Sequence, residues 1–335
     1  MTYYLLLLCI SSFSCLYFFR KYALKKRLLD TPNQRSLHNT PTPRGGGIVF
    51  ISLWILYATG FTLLSNWPLL QSIALLPPVL ILAIVSFLDD KINLSAKWRF
   101  LVHLTTAFYF LITIGGFFVI DLGFIHFTSF ILLTIFALFF IVWSINLFNF
   151  MDGSDGLAAS EAIFIFLVAG FLLLHFQVEA LAYLCFAMIA VVSGFLVWNW
   201  PPAKIFMGDV GSTCLGFLIA AIAILAQKYY EMPILLWLML YGLFLFDATI
   251  TLIRRMLKGE KWRESHRSHA YQRLVLSGWN HWQVLKASLF CNIVILGLVI
   301  LATIWIKWAI VFMLIEYLGL ALVYYKIEKI YPMPS

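Results

Sequence analysis

Apolar runs of about twenty residues recur along the whole chain, and nothing else constrains its folding as tightly. A helix needs roughly 20 consecutive apolar residues to cross the hydrocarbon core of a bilayer. Of the 335 residues, 63% are hydrophobic and 11% are charged, whereas ordinary globular chains carry about a quarter charged residues. The fold class implied is all-α, a polytopic integral membrane helix bundle forming one embedded unit over residues 1–335. Candidate spans cover 3–19, 46–65, 69–88, 100–119, 124–147, 157–175, 178–198, 212–228, 233–253, 284–304 and 308–325, about eleven helices.

The first run, Tyr3 to Phe19, is followed by Arg20 and Lys21. A cleaved signal peptide carries its positive charge ahead of the apolar core, so this segment reads as a retained helix. With the N-terminus outside, the segments 20–45, 89–99, 148–156, 199–211 and 254–283 and the C-terminal tail lie in the cytoplasm. All but Lys228 and Lys307 of the 23 Lys and Arg then fall on that side or at its edge, as the positive-inside rule requires. The net charge of +8 is therefore a membrane signature; no nucleic-acid motif accompanies it. Cys9, Cys15, Cys185, Cys214 and Cys291 all sit in apolar runs without a CxxC pair, which argues against disulfides and zinc.

The same threading brings polar clusters distant in sequence to one face. Asp89 and Asp90 in "SFLDDKINLS" end the third span. Acids at a helix C-terminus oppose the macrodipole, so they call for a compensating metal, cation or proton. After the fifth span comes "SINLFNFMDGSDGLAAS", with Asn146, Asn149, Asp152, Gly153, Ser154 and Asp155. Its glycines permit a tight turn with backbone N–H groups close to a ligand. Capping of the sixth helix by Asp155 explains one aspartate but not the rest.

"NWPPAKIFMGDVGSTCLG" sets Asp209 between Gly208 and Gly211, with Asn199 and Phe206 upstream. It lacks a GK[ST] sequence, so it is not a P-loop; a lone carboxylate suits magnesium shared with phosphate oxygens and water. Phe206 is either membrane packing or a stacking platform for a base. In "RRMLKGEKWRESHRSHAYQRL", most cations fit positive-inside charge or lipid headgroup contacts. His266 and His269, three apart, could contact phosphate oxygens. Arg35, His38 and Arg44 precede the triple glycine Gly45 to Gly47; guanidinium forks bind phosphate well. Together the mixture suits a diphosphate-containing substrate and phosphoryl transfer.

"FLDD", "NFMDGSDGLA", "NWPPAKIFMGDVGS" and the His-containing loop, in this order over about residues 35–275, resemble the polyprenyl-phosphate N-acetylhexosamine-1-phosphate transferases, glycosyltransferase family 4. The resemblance implies a reaction at the bacterial inner membrane. A UDP-N-acetylhexosamine and undecaprenyl phosphate give undecaprenyl-diphospho-sugar and UMP, with Mg2+ or Mn2+. Carried over by motif, Asp209 is the metal ligand, and Asp89, with Asp90 beside it, activates or positions the lipid phosphate. Asn149, Asp152, Gly153, Ser154 and Asp155 line the nucleotide pocket, with Phe206 against the uracil and Asn199 near the metal. His266 and His269 contact the diphosphate or sugar, helped by Arg44. A homodimer is compatible with this reading.

The pentapeptide-sugar branch of that family carries three consecutive histidines, whereas this chain reads "HRSHAYQ". The departure points to the branch that starts O-antigen and other surface glycans, with UDP-GlcNAc or a 6-deoxy-HexNAc donor. A transporter is the rival class. Its ionisable groups belong near the bilayer midplane, where Asp247 is the main candidate, with Arg254 two turns on as its expected partner and Glu161 and Glu316 as lesser cases. A structural scaffold would have no need for the aspartate motifs.

Overall fold

The computed structural model describes residues 2–32, 37–38, 40–65, 67–92, 94–122, 126–260 and 267–333. Its architecture is helical: α1 (Thr2–Lys26), α2 (Gly46–Leu64), α3 (Leu69–Ile92), α4 (Ala96–Thr113), α5 (Phe130–Met151), α6 (Leu157–His175), α7 (Glu179–Asn199), α8 (Asp209–Tyr230), α9 (Ile234–Leu240), α10 (Gly242–Leu257), α11 (Ala270–Leu276), α12 (His281–Ile304) and α13 (Ala309–Ile330). The strands are two short antiparallel pairs, β1 (Leu29–Asp30) with β2 (Thr42–Pro43), and β3 (Val119–Asp121) with β4 (His126–Thr128). The helical membrane bundle read from the sequence is the fold observed.

Among the described residues, 9 helices are long and apolar enough to cross a membrane, or 10 if the bent pair α9–α10 counts as one span. Two departures from the expected spans have clear causes. Helix α4 is not among the 9 because Lys97, Arg99, His103 and its threonines dilute the apolar residues. It still runs from Arg99, beside Asp209, to its C-cap Ile114, beside Tyr229, the two ends of α8, and its last helical residue is Thr113 instead of 119. The ninth span, expected as a single helix over 233–253, is broken at Tyr241 and bent by 76°. The Glu316 carboxyl of α13 packs against Gly242 at the break, where any Cβ would collide with it.

Helix α8 is the axis of the bundle. Of its span, 94% is buried, against 11% for α1 and 17% for α13, which face outward. Small residues let its neighbours approach closely, the usual packing device between membrane helices. On α5, the Ser144 hydroxyl donates to the Gly216 carbonyl (2.7 Å), and a Cβ on Gly216 would strike the Ser144 backbone. On α2, a Cβ on Gly47 would strike the Gly211 backbone nitrogen. The N–H groups of Gly46 and Gly47 donate to the carbonyls of Phe206 (2.9 Å) and Met207 (2.8 Å). The start of α8, which carries Asp209, is thereby pinned between α2 and α5.

This crossing makes a direct prediction. Gly47→Ala forces α2 from α8 and is expected to cost about 1–3 kcal/mol, the usual range for overpacking. Gly60→Ala, where a Cβ meets nothing within 4 Å, is the control. Thermal unfolding of the purified variants in detergent should show a lowered midpoint for the first and little change for the second.

Candidate active site

Two carboxylates and one guanidinium form the centre of the site. Asp89, on the last turns of α3, is buried, and its Oδ1 accepts the Leu94 N–H (2.7 Å). That bond closes the chain between α3 and α4 and presents Arg99 one turn into α4. Arg99 Nη1 donates to Asp89 Oδ2 (3.2 Å) and stands 4.0 Å from Asp209 Oδ2. Asp209 opens α8, and its Oδ1 accepts Asn149 Nδ2 from α5 (3.0 Å); the same nitrogen reaches Ser212 Oγ (2.9 Å). Asp90 pairs with Arg44 (3.6 Å), and Arg44 also bonds the Asp90 carbonyl.

Asp89, Arg99, Asn149 and Asp209 border a cavity of about 790 Å3, which Asp90 and Arg44 do not line. Asp89, Arg99, Asn149, Asp209, His269 and Gln272 line its polar part, with Asn146 and His103 also on the wall. Leu82 and Val85 of α3 and Phe100, Leu101 and Leu104 of α4 line the rest. The cavity thus has a charged head and an oily throat.

Other expected residues serve the loops around this centre. The Asp155 N–H donates to His281 Nδ1 (3.0 Å), which Ser154 Oγ also approaches (3.0 Å). A backbone N–H can only donate, so Nδ1 accepts and the imidazole proton sits on Nε2, facing the Leu37 carbonyl (3.4 Å). Asp155 Oδ2 accepts the Ala203 N–H (2.9 Å). It does not cap α6, whose N-cap is Gly156 in the left-handed region (φ 73°) with no side-chain cap. Asn199 is buried, with its Oδ1 accepting the Gly156 N–H (2.9 Å) and its Nδ2 donating to the Ile205 carbonyl (2.9 Å). Ser154, Asp155 and Asn199 therefore join the 152–156 turn to the 199–206 loop and to α12.

Asp152 and Gly153 directly precede this staple in the chain. Burial first, and then the charges of Asp209, Asp90 and Asp155, push the Asp152 carboxyl well above the ordinary carboxylate range. A side chain at Gly153 would collide with the Tyr271 hydroxyl, which donates to the Phe150 carbonyl (2.9 Å). The Phe206 ring meets His38 edge-on, with centroids 4.9 Å apart. His266 and Arg35 lie outside the described residues.

The Arg254 pairing expected for Asp247 is absent. Arg254 instead makes two bonds of 2.7 Å to Glu328 of α13, and buried Arg273 of α11 bonds the same carboxylate and the Tyr331 carbonyl (2.8 Å). Asp247 turns to the start of α11, where both oxygens accept the Ala270 N–H (2.9 and 3.0 Å). Glu161 accepts Asn292 Nδ2 (2.7 Å). Arg99 and His281 were not singled out in the sequence. The first is indistinguishable there from positive-inside charge, and the second has no local signature at all.

A chain whose carboxylates share a guanidinium on the wall of a partly apolar cavity invites comparison with enzymes acting on lipid-linked phosphates. The family profile described as glycosyl transferase family 4 matches residues 72–227. The chain is 30% identical over 314 residues to the probable undecaprenyl-phosphate N-acetylglucosaminyl 1-phosphate transferase of Bacillus subtilis (strain 168), covering 89% of this chain and 85% of that one. The undecaprenyl-phosphate alpha-N-acetylglucosaminyl 1-phosphate transferase of Escherichia coli (strain K12) is 29% identical, with 84% and 80% covered. A phospho-N-acetylmuramoyl-pentapeptide-transferase of Listeria monocytogenes serotype 4b (strain CLIP80459) is also 29% identical, with 77% and 82% covered. The chain belongs to glycosyl transferase family 4, a family of polyprenyl-phosphate sugar-1-phosphate transferases.

The Glu328 clamp gives a prediction independent of catalysis. Glu328→Gln weakens the Arg254 bonds and leaves the buried Arg273 guanidinium short of its counter-charge. The expected loss is about 1–3 kcal/mol, the range for bonds to charged groups. A lowered unfolding midpoint, with faster proteolysis between α10 and α11, would report it.

Proposed function

We propose that this protein transfers N-acetylhexosamine 1-phosphate from a UDP-sugar to undecaprenyl phosphate, releasing UMP, as the first membrane step of O-antigen or a related surface glycan. The observation that carries this reading is the cavity, where Asp89, Arg99 and Asp209 meet a throat of Leu82, Val85, Phe100, Leu101 and Leu104. A phosphate on an isoprenoid chain has the same two halves. The printed activities of the relatives and the "HRSHAYQ" segment support the donor class and the surface-glycan branch. The placement of all but two Lys and Arg supports a site facing the cytoplasm and an outside N-terminus.

In this reading an oxygen of the lipid phosphate attacks the phosphorus that bears the sugar. A new P–O bond forms there, the bond to the bridging oxygen breaks, and UMP leaves with the electron pair. A phosphate monoester has a second pKa near about 6, so the nucleophile is already anionic and needs no general base. Asp89 then acts by holding Arg99, whose guanidinium neutralises the acceptor phosphate. His269, on the cavity wall, donates to the diphosphate. Asn149 fixes Asp209, Asp152 and Gly153 face the nucleotide with Phe206 against the uracil, and Arg44 holds Asp90.

A divalent cation, Mg2+ or Mn2+, fits the donor set. Asp90 Oδ2 is buried without a hydrogen-bond partner among the described residues, and the Asp209 side chain is about a third exposed. Asp209 and Asp90 would hold the ion together with phosphate oxygens and water, the mixed shell magnesium prefers. When bound, it supplies charge neutralisation on the donor diphosphate.

The test is UMP release by the purified protein from a panel of UDP-N-acetylhexosamines with undecaprenyl phosphate. Release should need the lipid, stop with EDTA and resume with Mg2+. Asp89→Asn and Asp209→Asn should each lower kcat by roughly 10³-fold, in the range seen when one charge-stabilising group is lost. Near-normal release by the Asp209 variant would remove the metal assignment.

A further inference from the structure

Asp247 is an intramembrane carboxylate on α10, and the reaction outlined above gives it no part. Such a residue is costly in a span and usually functional. Its surroundings connect it to the site. Asp247 Oδ1 lies 3.7 Å from Nδ1 of His269, and both side chains are almost wholly buried. The Thr251 hydroxyl donates to the same oxygen (3.1 Å) and is itself 3.2 Å from the Tyr324 hydroxyl. The Ala270 N–H reaches both carboxylate oxygens. The carboxylate is thus fixed from its own helix, from α11 and from α13.

The imidazole is held as firmly. Its ring lies near-parallel to Phe150, with centroids 6.3 Å apart and planes at 27°, and to Tyr271, at 6.0 Å and 11°. The aromatic rings set the plane of the imidazole, and the carboxylate sets which edge faces inward. With Nδ1 toward Asp247, Nε2 is the second polar atom of a residue that lines the cavity shared with Asp89, Arg99 and Asp209.

We propose that Asp247 is a positioning residue for His269: its carboxylate holds the Nδ1 edge, beside the Phe150 and Tyr271 rings, so that Nε2 is the edge presented to the donor diphosphate. The arrangement follows the logic by which a buried acid orients a working imidazole in other enzymes. It rests on the role given to His269 above. The competing role for Asp247 is structural, since it also caps the first turn of α11.

A double-mutant cycle separates the two, because residues acting as a unit are non-additive. Asp247→Asn keeps an oxygen for the Ala270 N–H but removes the charge beside Nδ1. In the otherwise native protein it should lower kcat by about 10- to 100-fold, with KM for the UDP-sugar changed less than about 2-fold. In the His269→Gln background the same substitution should cost nothing further. An equal loss in both backgrounds shows that Asp247 serves only to cap α11 and overturns the proposal alone. Unchanged kcat for Asp247→Asn also overturns it. Full activity of His269→Gln overturns the role of the imidazole and this proposal with it. If Asp247→Asn does not fold, Thr251→Val takes its place in the cycle, with a several-fold loss of kcat expected only where His269 is present; equal losses, or none, overturn the proposal.

Discussion

Asp89 and Asp209 leave two different helices at the edge of the bundle, and one guanidinium nitrogen of Arg99 stands 3.2 and 4.0 Å from them. Carboxylates placed beside apolar helix ends repel one another and lose hydration, so each needs a cation or a donor. The surrounding structure supplies them. Arg44 lies against Asp90, Asn149 donates to Asp209, and the Leu94 N–H donates to Asp89. The close crossings of α8 with α2 and α5 keep these partners within reach, because Gly47, Gly211, Gly216 and Ser144 leave no bulk between the backbones.

A second layer of contacts holds the loops. His281, at the start of α12, gathers Ser154, Asp155 and Leu37, three points from two other loops. Asn199 bridges the Gly156 N–H and the Ile205 carbonyl. These residues tie the loops together, whereas Asp89, Arg99 and Asp209 line the cavity. The distinction narrows the candidate site from a long set of polar residues to those that line the cavity.

The membrane spans were legible in the sequence because a twenty-residue apolar run has few other uses. The ends of those spans were less so. The break at Tyr241 coincides with Glu316 of α13 packing on Gly242, a contact across 74 residues that no local pattern encodes. Within the site, Asp89, Asn149 and Asp209 stood out as polar groups at helix ends or among glycines. Arg99 did not, since one cation among many at a cytoplasmic edge carries no distinguishing mark. Asp155 looked like a helix cap, but the left-handed Gly156 takes that position and frees the carboxylate for Ala203. Arg254 sat at helical spacing from Asp247, yet Glu328 of α13 offers it a two-point contact.

The 76° bend between α9 and α10 has one further consequence. In an unbroken helix each inserted residue turns everything beyond it by roughly 100°. Here α10 begins afresh at Gly242 and takes its rotation from α5, α12 and α13. Changes in the length of α9 are absorbed at the corner and do not swing Asp247 around the helix axis. The bend insulates Asp247, and the start of α11 that it holds, from the length of α9.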